Sequence, residues 1–192
     1  MAKELNKMTP EELGILFPII LAEYNPEWPA FYLKEETRIK KSLPSGTLVR
    51  ISHIGSTAIP GLISKPTIDI LLEVSEKTED QSIIDSFIEL GYQFISRPEN
   101  PAPHMMFVLG YTPKGFRGQA VHVHVRYPGD WHEIRFRDYL QTHPESREEY
   151  EKLKQELAVR YRNDRDGYTD AKEEFIRRIH NLAGSSKDQA AR

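Results

Sequence analysis

Apolar and polar positions change period several times along the chain, and each change marks an element. Leu48, Val49, Ile51 and Ile54 form a short apolar run that Gly55-Ser56 interrupts. After a loop carrying Pro60, Gly61 and Pro66, a second run extends from Thr67 to Val74, so this stretch predicts strand, polar turn, strand. Upstream, Thr9-Pro10-Glu11-Glu12 has the form of a capped helix start, and a short helix is predicted over Met8 to Leu16. Pro18 to Tyr24 reads as a strand closed by Asn25-Pro26. Trp28, Phe31, Tyr32, Ile39 and Leu43 then recur at helical spacing up to Pro44, which predicts a helix laying an aromatic stripe on a sheet.

Downstream, Ile83, Ile84, Phe87 and Ile88 make one face of a helix over Gln81 to Leu90, with Gly91 as its stop. Strands are predicted at Tyr92 to Ile95, Met105 to Leu109 and Gln119 to Tyr127, the last two joined by a turn in Pro113 to Gly118. From Trp131 the pattern is helical. Glu133 to Leu140 is one helix, and a longer one opens at Pro144 with Tyr150, Leu153, Leu157 and Tyr161 in one stripe. Asn163 to Gly167 is a polar break, and Asp170 with Glu173 caps a last helix bearing Ala171, Phe175, Ile176 and Ile179. The class is therefore α+β: a small mixed β-sheet with helices packed on one face, plus C-terminal helices. Residues 1–17 read as an N-terminal helical extension, 18–182 as a single domain whose part 132–182 is helical, and 183–192 as a flexible tail.

Composition narrows the function. A chain of 192 residues buries roughly 70% of its unfolded surface and fits one core. With 26 basic and 29 acidic side chains the net charge is −3, so no large nucleic-acid surface is indicated, and a small anion needs only a local basic pocket. Cysteine is absent, which excludes disulfides, thiolate metal sites and a cysteine nucleophile. The mixed-charge start and the lack of an apolar run near ~18 residues predict a cytoplasmic protein without a signal peptide or membrane span.

Candidate chemistry gathers in two places. At the Gly55-Ser56-Thr57 turn, backbone N–H groups and hydroxyls suit a phosphate, though the same residues equally serve as a strand end and a turn cap. Lys65 is either a phosphate-binding point charge or a solvated loop lysine. Asp69, among Ile68, Ile70, Leu71 and Leu72, is costly in a strand unless it is paired or binds metal. The second place is Ala120 to Arg126, where strict alternation puts His122, His124 and Arg126 on one face. If that strand lies beside Asp69, the imidazoles supply a metal ligand or a general base. His53 and His104 sit at strand or loop ends as further members of such a cluster. Arg38 has two readings, a phosphate contact or a solvated helical charge.

The block GSTAIPGLISKPTIDI at Gly55 to Ile70 resembles the GrpB-like family, which is grouped with the nucleotidyltransferase fold. AEYNPEWPAFY, AVHVHV, FRDYLQTHPE and DRDGYTDAKEEFI are similar to family landmarks in family order, so the resemblance covers residues 18–182. It implies a nucleotide or other small phosphorylated ligand, bound between the sheet and the C-terminal helices. Gly55, Ser56, Thr57, Lys65 and Arg126 would hold phosphates, and Arg137, Tyr168 and Lys172 would reach the cleft, Lys172 onto a phosphate. Asp69 would bind Mg²⁺, with His122 and His124 as further metal ligands and His124 sharing the catalytic role. The chain departs from the active nucleotidyltransferase pattern, which sets two carboxylates two residues apart: here the second position is Leu71, and Glu73 lies roughly 13 Å from Asp69 along the strand. Three functions are in view: a nucleotidyltransferase, a ligand-binding or regulatory module without transfer chemistry, and a histidine-based metal phosphoesterase.

Overall fold

The computed structural model describes residues 3–190, with side chains described through residue 184. Five strands, β1 (Leu48–Ile54), β2 (Thr67–Val74), β3 (Gln93–Ser96), β4 (Met105–Thr112) and β5 (Gly115–Arg126), form one sheet in the order β1-β2-β5-β4-β3. Only the β2–β5 pair is parallel, so the sheet is mixed as expected. Seven α-helices accompany it among the described residues: α1 (Pro10–Leu16), α2 (Trp28–Ser42), α3 (Asp80–Glu89), α4 (His132–Thr142), α5 (Pro144–Arg160), α6 (Arg165–Asp170) and α7 (Glu173–Ala190). Among the described residues no helix is long and apolar enough to cross a membrane.

The period of two in β2 and β5 divides the sheet into a dry face and a polar one. Ile68, Ile70, Leu72 and Val74 join Val121, Val123, Val125 and Phe107 under α2 and α3, where Trp28, Ile39, Ile83 and Phe87 close the core. Phe87 stacks on Phe107 at 4.1 Å between centroids. Each such side chain contributes about 1.5–3 kcal/mol through burial. Register places Asp69 opposite His122, Leu71 opposite His124 and Glu73 opposite Arg126, so these six share the other face. The C-terminal helices carry a second core of Phe136, Leu140, Tyr150, Phe175 and Ile179, into which Ile59 and Leu62 of the β1–β2 connection insert. That insertion ties the Gly-Ser turn to the C-terminal helices.

Three boundaries differ from the sequence expectation. Pro18 to Tyr24 is not a strand: Ala22 exchanges backbone hydrogen bonds with Ser64 as an isolated bridge, while Ile19 donates to the Arg162 carbonyl. Its backbone is satisfied by two separate loops, so no ladder is needed. The β4–β5 turn is shorter than Pro113 to Gly118, because β5 already begins at Gly115 and Thr112 closes the turn by donating to the Gly115 carbonyl. The polar break at Asn163 to Gly167 instead opens α6, with the Asp164 carboxylate accepting from the Gly167 N–H at 2.9 Å. In the N-terminal part the capping box of α1 forms as expected. Helix α7 runs through most of 183–192, the segment expected as a tail, whose last two residues lie outside the described ones.

Candidate functional site

Among the described residues, Asp69 is the one carboxylate on the polar face of the sheet not held by a guanidinium. Glu73, almost wholly buried, accepts from the Arg50 guanidinium and from the Gly129 N–H at 3.0 Å. Leu71 is fully buried between the two. Asp69 keeps 27% of its side chain exposed, with its Oδ1 3.3 Å from His122 Nδ1 and 3.8 Å from His124 Nε2. Burial works to raise its pKa, but the two imidazoles outweigh that effect and hold the carboxyl well below its usual range. Burial lowers the pKa of His122, with Asp69 opposing.

Local conformation explains why Asp69 stays where it is. Gly55 has φ 69° and ψ −174°, and a Cβ there would stand 2.5 Å from Asp69 Oδ2. The missing side chain thus lets the turn backbone close over the carboxylate. Thr57, buried beside it, donates to the Thr67 carbonyl at 3.0 Å and pins the turn to the start of β2. Ser56 lies close enough to the Tyr150 hydroxyl on α5 to oppose the rise that burial gives its pKa. On the far side Tyr111 Oη lies 2.7 Å from His122 Nε2, and an Arg165 N–H reaches the same hydroxyl at 3.5 Å.

Basic side chains surround this centre. Lys65 and Lys172 approach the ring of buried Tyr168, at 5.2 and 4.3 Å from its centroid. Burial, reinforced by Arg165, pushes Lys65 down to about 8 against the pull of Asp69. Burial, reinforced by Lys65, pushes Lys172 down to about 7, again against Asp69. Lys154, nearly inaccessible, donates to the Ile63 carbonyl and is pushed down to about 7 by burial and by Lys172, with Glu151 opposing. Lys65 and Lys172 therefore share the Asp69 carboxylate, with Arg165 beside Lys65 and Lys154 beside Lys172 extending the basic lining. Such a cleft is chemically suited to an anion, which would neutralise the excess.

The structure thus brings together Asp69, His122, His124, Gly55, Ser56, Lys65, Tyr168 and Lys172. Four other expected residues have structural partners. Thr57 pins the turn, and Arg126 is buried against the Trp131 ring, 3.9 Å from Glu133 and donating to the Val125 carbonyl. Arg137 donates to the His53 carbonyl at 2.7 Å and pairs with Asp138. Arg38 bridges Glu35 and the Leu90 carbonyl. His53 lies on the dry face stacked on Tyr32, with its Nε2 3.1 Å from the Thr57 hydroxyl, and His104 is exposed in its loop, so neither places a donor with Asp69, His122 and His124. Sequence reasoning missed Tyr111, Tyr150, Lys154 and Arg165. A signal existed for two of them: Tyr150 and Lys154 repeat the four-residue spacing of Tyr168 and Lys172. More open grooves, such as one lined by Glu149, Leu153, Phe175 and Arg178, lie elsewhere and have mixed charge. Convergent chemistry rather than openness identifies the site.

A family model described as "GrpB protein" matches residues 18–181. The chain belongs to the GrpB family. A UPF0157 protein of Pseudomonas aeruginosa is 40% identical over 163 residues, covering 81% of this chain, which spans 63% of that relative's length. The crystal structure of the conserved protein GrpB from Enterococcus faecalis superposes with a TM-score of 0.73 at 27% identity, covering 88% of this chain and 99% of that one. A more distant relative, a dephospho-CoA kinase of Mycolicibacterium paratuberculosis, is 25% identical over 188 residues, 86% of this chain and 46% of the kinase.

Proposed function

We propose that this GrpB protein binds a nucleotide or another small phosphorylated ligand between the polar face of the sheet and the C-terminal helices. The observation that carries this reading is the pairing of Lys65 and Lys172 around Tyr168: among the described residues neither lysine is in an ion pair, yet both are half-buried beside Asp69. Burying unpaired ammonium groups is unfavourable, and a phosphate relieves the cost. Arg165, held by the Phe17 carbonyl at 2.9 Å, and the Ser56 hydroxyl complete the lining. Calorimetry with ATP, GTP, CTP, UTP and dephospho-CoA tests the proposal, the last because one relative bears the name dephospho-CoA kinase. At least one is expected to bind, with Lys65→Met and Lys172→Met each weakening it about tenfold or more. Absence of binding, or equal binding by both variants, would refute the reading.

Leu71 in the position of a second carboxylate favours a binding or regulatory module over a two-metal transferase. Nucleotidyl transfer is the second reading, supported by His124 standing opposite Leu71 in register and facing Asp69. Labelled nucleotide separates the two: a module retains it unchanged, and a transferase releases pyrophosphate. The Mg²⁺ implied by the family resemblance does not fit the donor set, since Mg²⁺ prefers an octahedron of oxygens and water whereas two of the three donors are imidazoles.

A further inference from the structure

We infer that Asp69, His122 and His124 form a centre for a divalent transition ion, of the kind represented by Zn²⁺, rather than for Mg²⁺. Their donor atoms all lie within 4.8 Å of one another. With metal–ligand bonds of about 2.1 Å, two donors on one ion stand about 3.0 Å apart at a right angle and about 3.4 Å apart at the tetrahedral angle. Asp69 Oδ1 is 3.3 Å from His122 Nδ1 and 3.8 Å from His124 Nε2, so these two edges close with at most a few tenths of an ångström, and the third edge, between the imidazoles, lies within the 4.8 Å span of the group. As direct charge-assisted hydrogen bonds the same distances are long, since those lie near 2.7–2.9 Å.

The surroundings orient the donors for this purpose. Period two in β5 sends both imidazoles to the same face, and the parallel register sets His122 directly beside Asp69. Tyr111 Oη takes up His122 Nε2 at 2.7 Å, which leaves Nδ1 directed at Asp69. The missing side chain at Gly55 leaves room for the other carboxylate oxygen. Three protein donors leave open coordination positions, and imidazole with carboxylate is a set that Zn²⁺ and Fe²⁺ accept and Mg²⁺ rarely does. Lys65 and Lys172 oppose a dication, so the ion is held more tightly once an anion fills an open position. The centre stands without the phosphate reading, because its donors are not the residues that carry that reading.

The test uses untagged, chelator-stripped full-length protein without nucleotide, titrated with Zn²⁺ against a chromophoric chelator and with Co²⁺ by visible absorption. One equivalent of each is expected, with a Co²⁺ d–d band, unaffected by a hundredfold excess of Mg²⁺. His122→Ala and His124→Ala are each expected to weaken Zn²⁺ binding at least tenfold. X-ray absorption of the Zn²⁺-loaded wild-type protein should show two imidazoles and oxygen donors, and it decides the matter if either variant fails to fold. Absent stoichiometric binding, equal binding by folded variants, displacement by comparable Mg²⁺, or a zinc spectrum without imidazole would each overturn the inference. A nucleotide that binds while Zn²⁺ does not would overturn the metal centre and leave the phosphate cleft intact.

Discussion

Replacing Gly55 by alanine is the sharpest structural probe of how the site is held. The backbone there, at φ 69° and ψ −174°, lies in a region open essentially to glycine, where another residue is strained by roughly 1–3 kcal/mol. The new Cβ would stand 2.5 Å from Asp69 Oδ2, 3.0 Å from its Cβ and 3.1 Å from its Cγ. The Asp69 Cβ belongs to a central strand and has little room to retreat, so overpacking adds roughly 1–3 kcal/mol. Gly61 supplies the control: it also has a positive φ, 78°, but an added Cβ meets nothing within 4 Å. Gly61→Ala should therefore cost only backbone strain of about 1–2 kcal/mol. Urea unfolding of both variants gives the difference. In an Asp69→Ala background the closest contact of the new methyl disappears while the one with the Asp69 Cβ position stays, so a coupling of about 1–2 kcal/mol is expected. Gly55→Ala costing no more than Gly61→Ala, or an undiminished penalty without the carboxylate, would refute the idea that the turn was built to close over Asp69.

Other expectations separate scaffold from site. Glu73→Ala should lower stability by about 1–3 kcal/mol in urea unfolding, because it strands a half-exposed Arg50 and the Gly129 N–H, and should leave ligand affinity unchanged. Lys172→Met should weaken the phosphorylated ligand by about 1.5–3 kcal/mol in calorimetry without lowering the thermal midpoint of the free protein at pH 7, since it removes a charge held out of water. The lysines also fix a pH trend. Lys65, Lys154 and Lys172 stand at about 8, 7 and 7 in the folded chain, against an unfolded value near ~10.4. Between pH 7 and roughly 10 the unfolded chain binds more protons, so stability of the free protein must rise with pH across that window. Urea midpoints at pH 7 and pH 9 check this, and a midpoint that falls would contradict it.

Much of the architecture was legible because burial writes itself into period. The two-residue alternation of Ala120 to Arg126 placed His122 and His124 on one face, and the 3.6-residue stripe from Trp28 to Leu43 located α2 on the dry side. What the chain could not display was pairing. Nothing local in Thr67 to Val74 states that its parallel neighbour begins more than forty residues later, yet that register is what sets His122 beside Asp69. The basic lining was half visible for a similar reason. Lys154 sits in a helix dense with charge, and beyond its spacing from Tyr150 it is the tertiary contact with the Ile63 carbonyl that distinguishes it from solvated neighbours such as Lys152. Pro18 to Tyr24 misled because its apolar residues serve two loops and a helix end at once: Ile19 packs beside Leu157 and Tyr168.

The most direct test of the phosphate cleft is proton linkage. A phosphate beside Lys65 and Lys172 favours their charged forms and draws their pKa values back up from about 8 and about 7. Calorimetry at pH 8 in two buffers of different ionisation enthalpy should then show net proton uptake as the phosphorylated ligand binds, reduced in Lys172→Met. Binding with no proton uptake, or uptake that survives both lysine substitutions intact, would place the ligand elsewhere on the molecule.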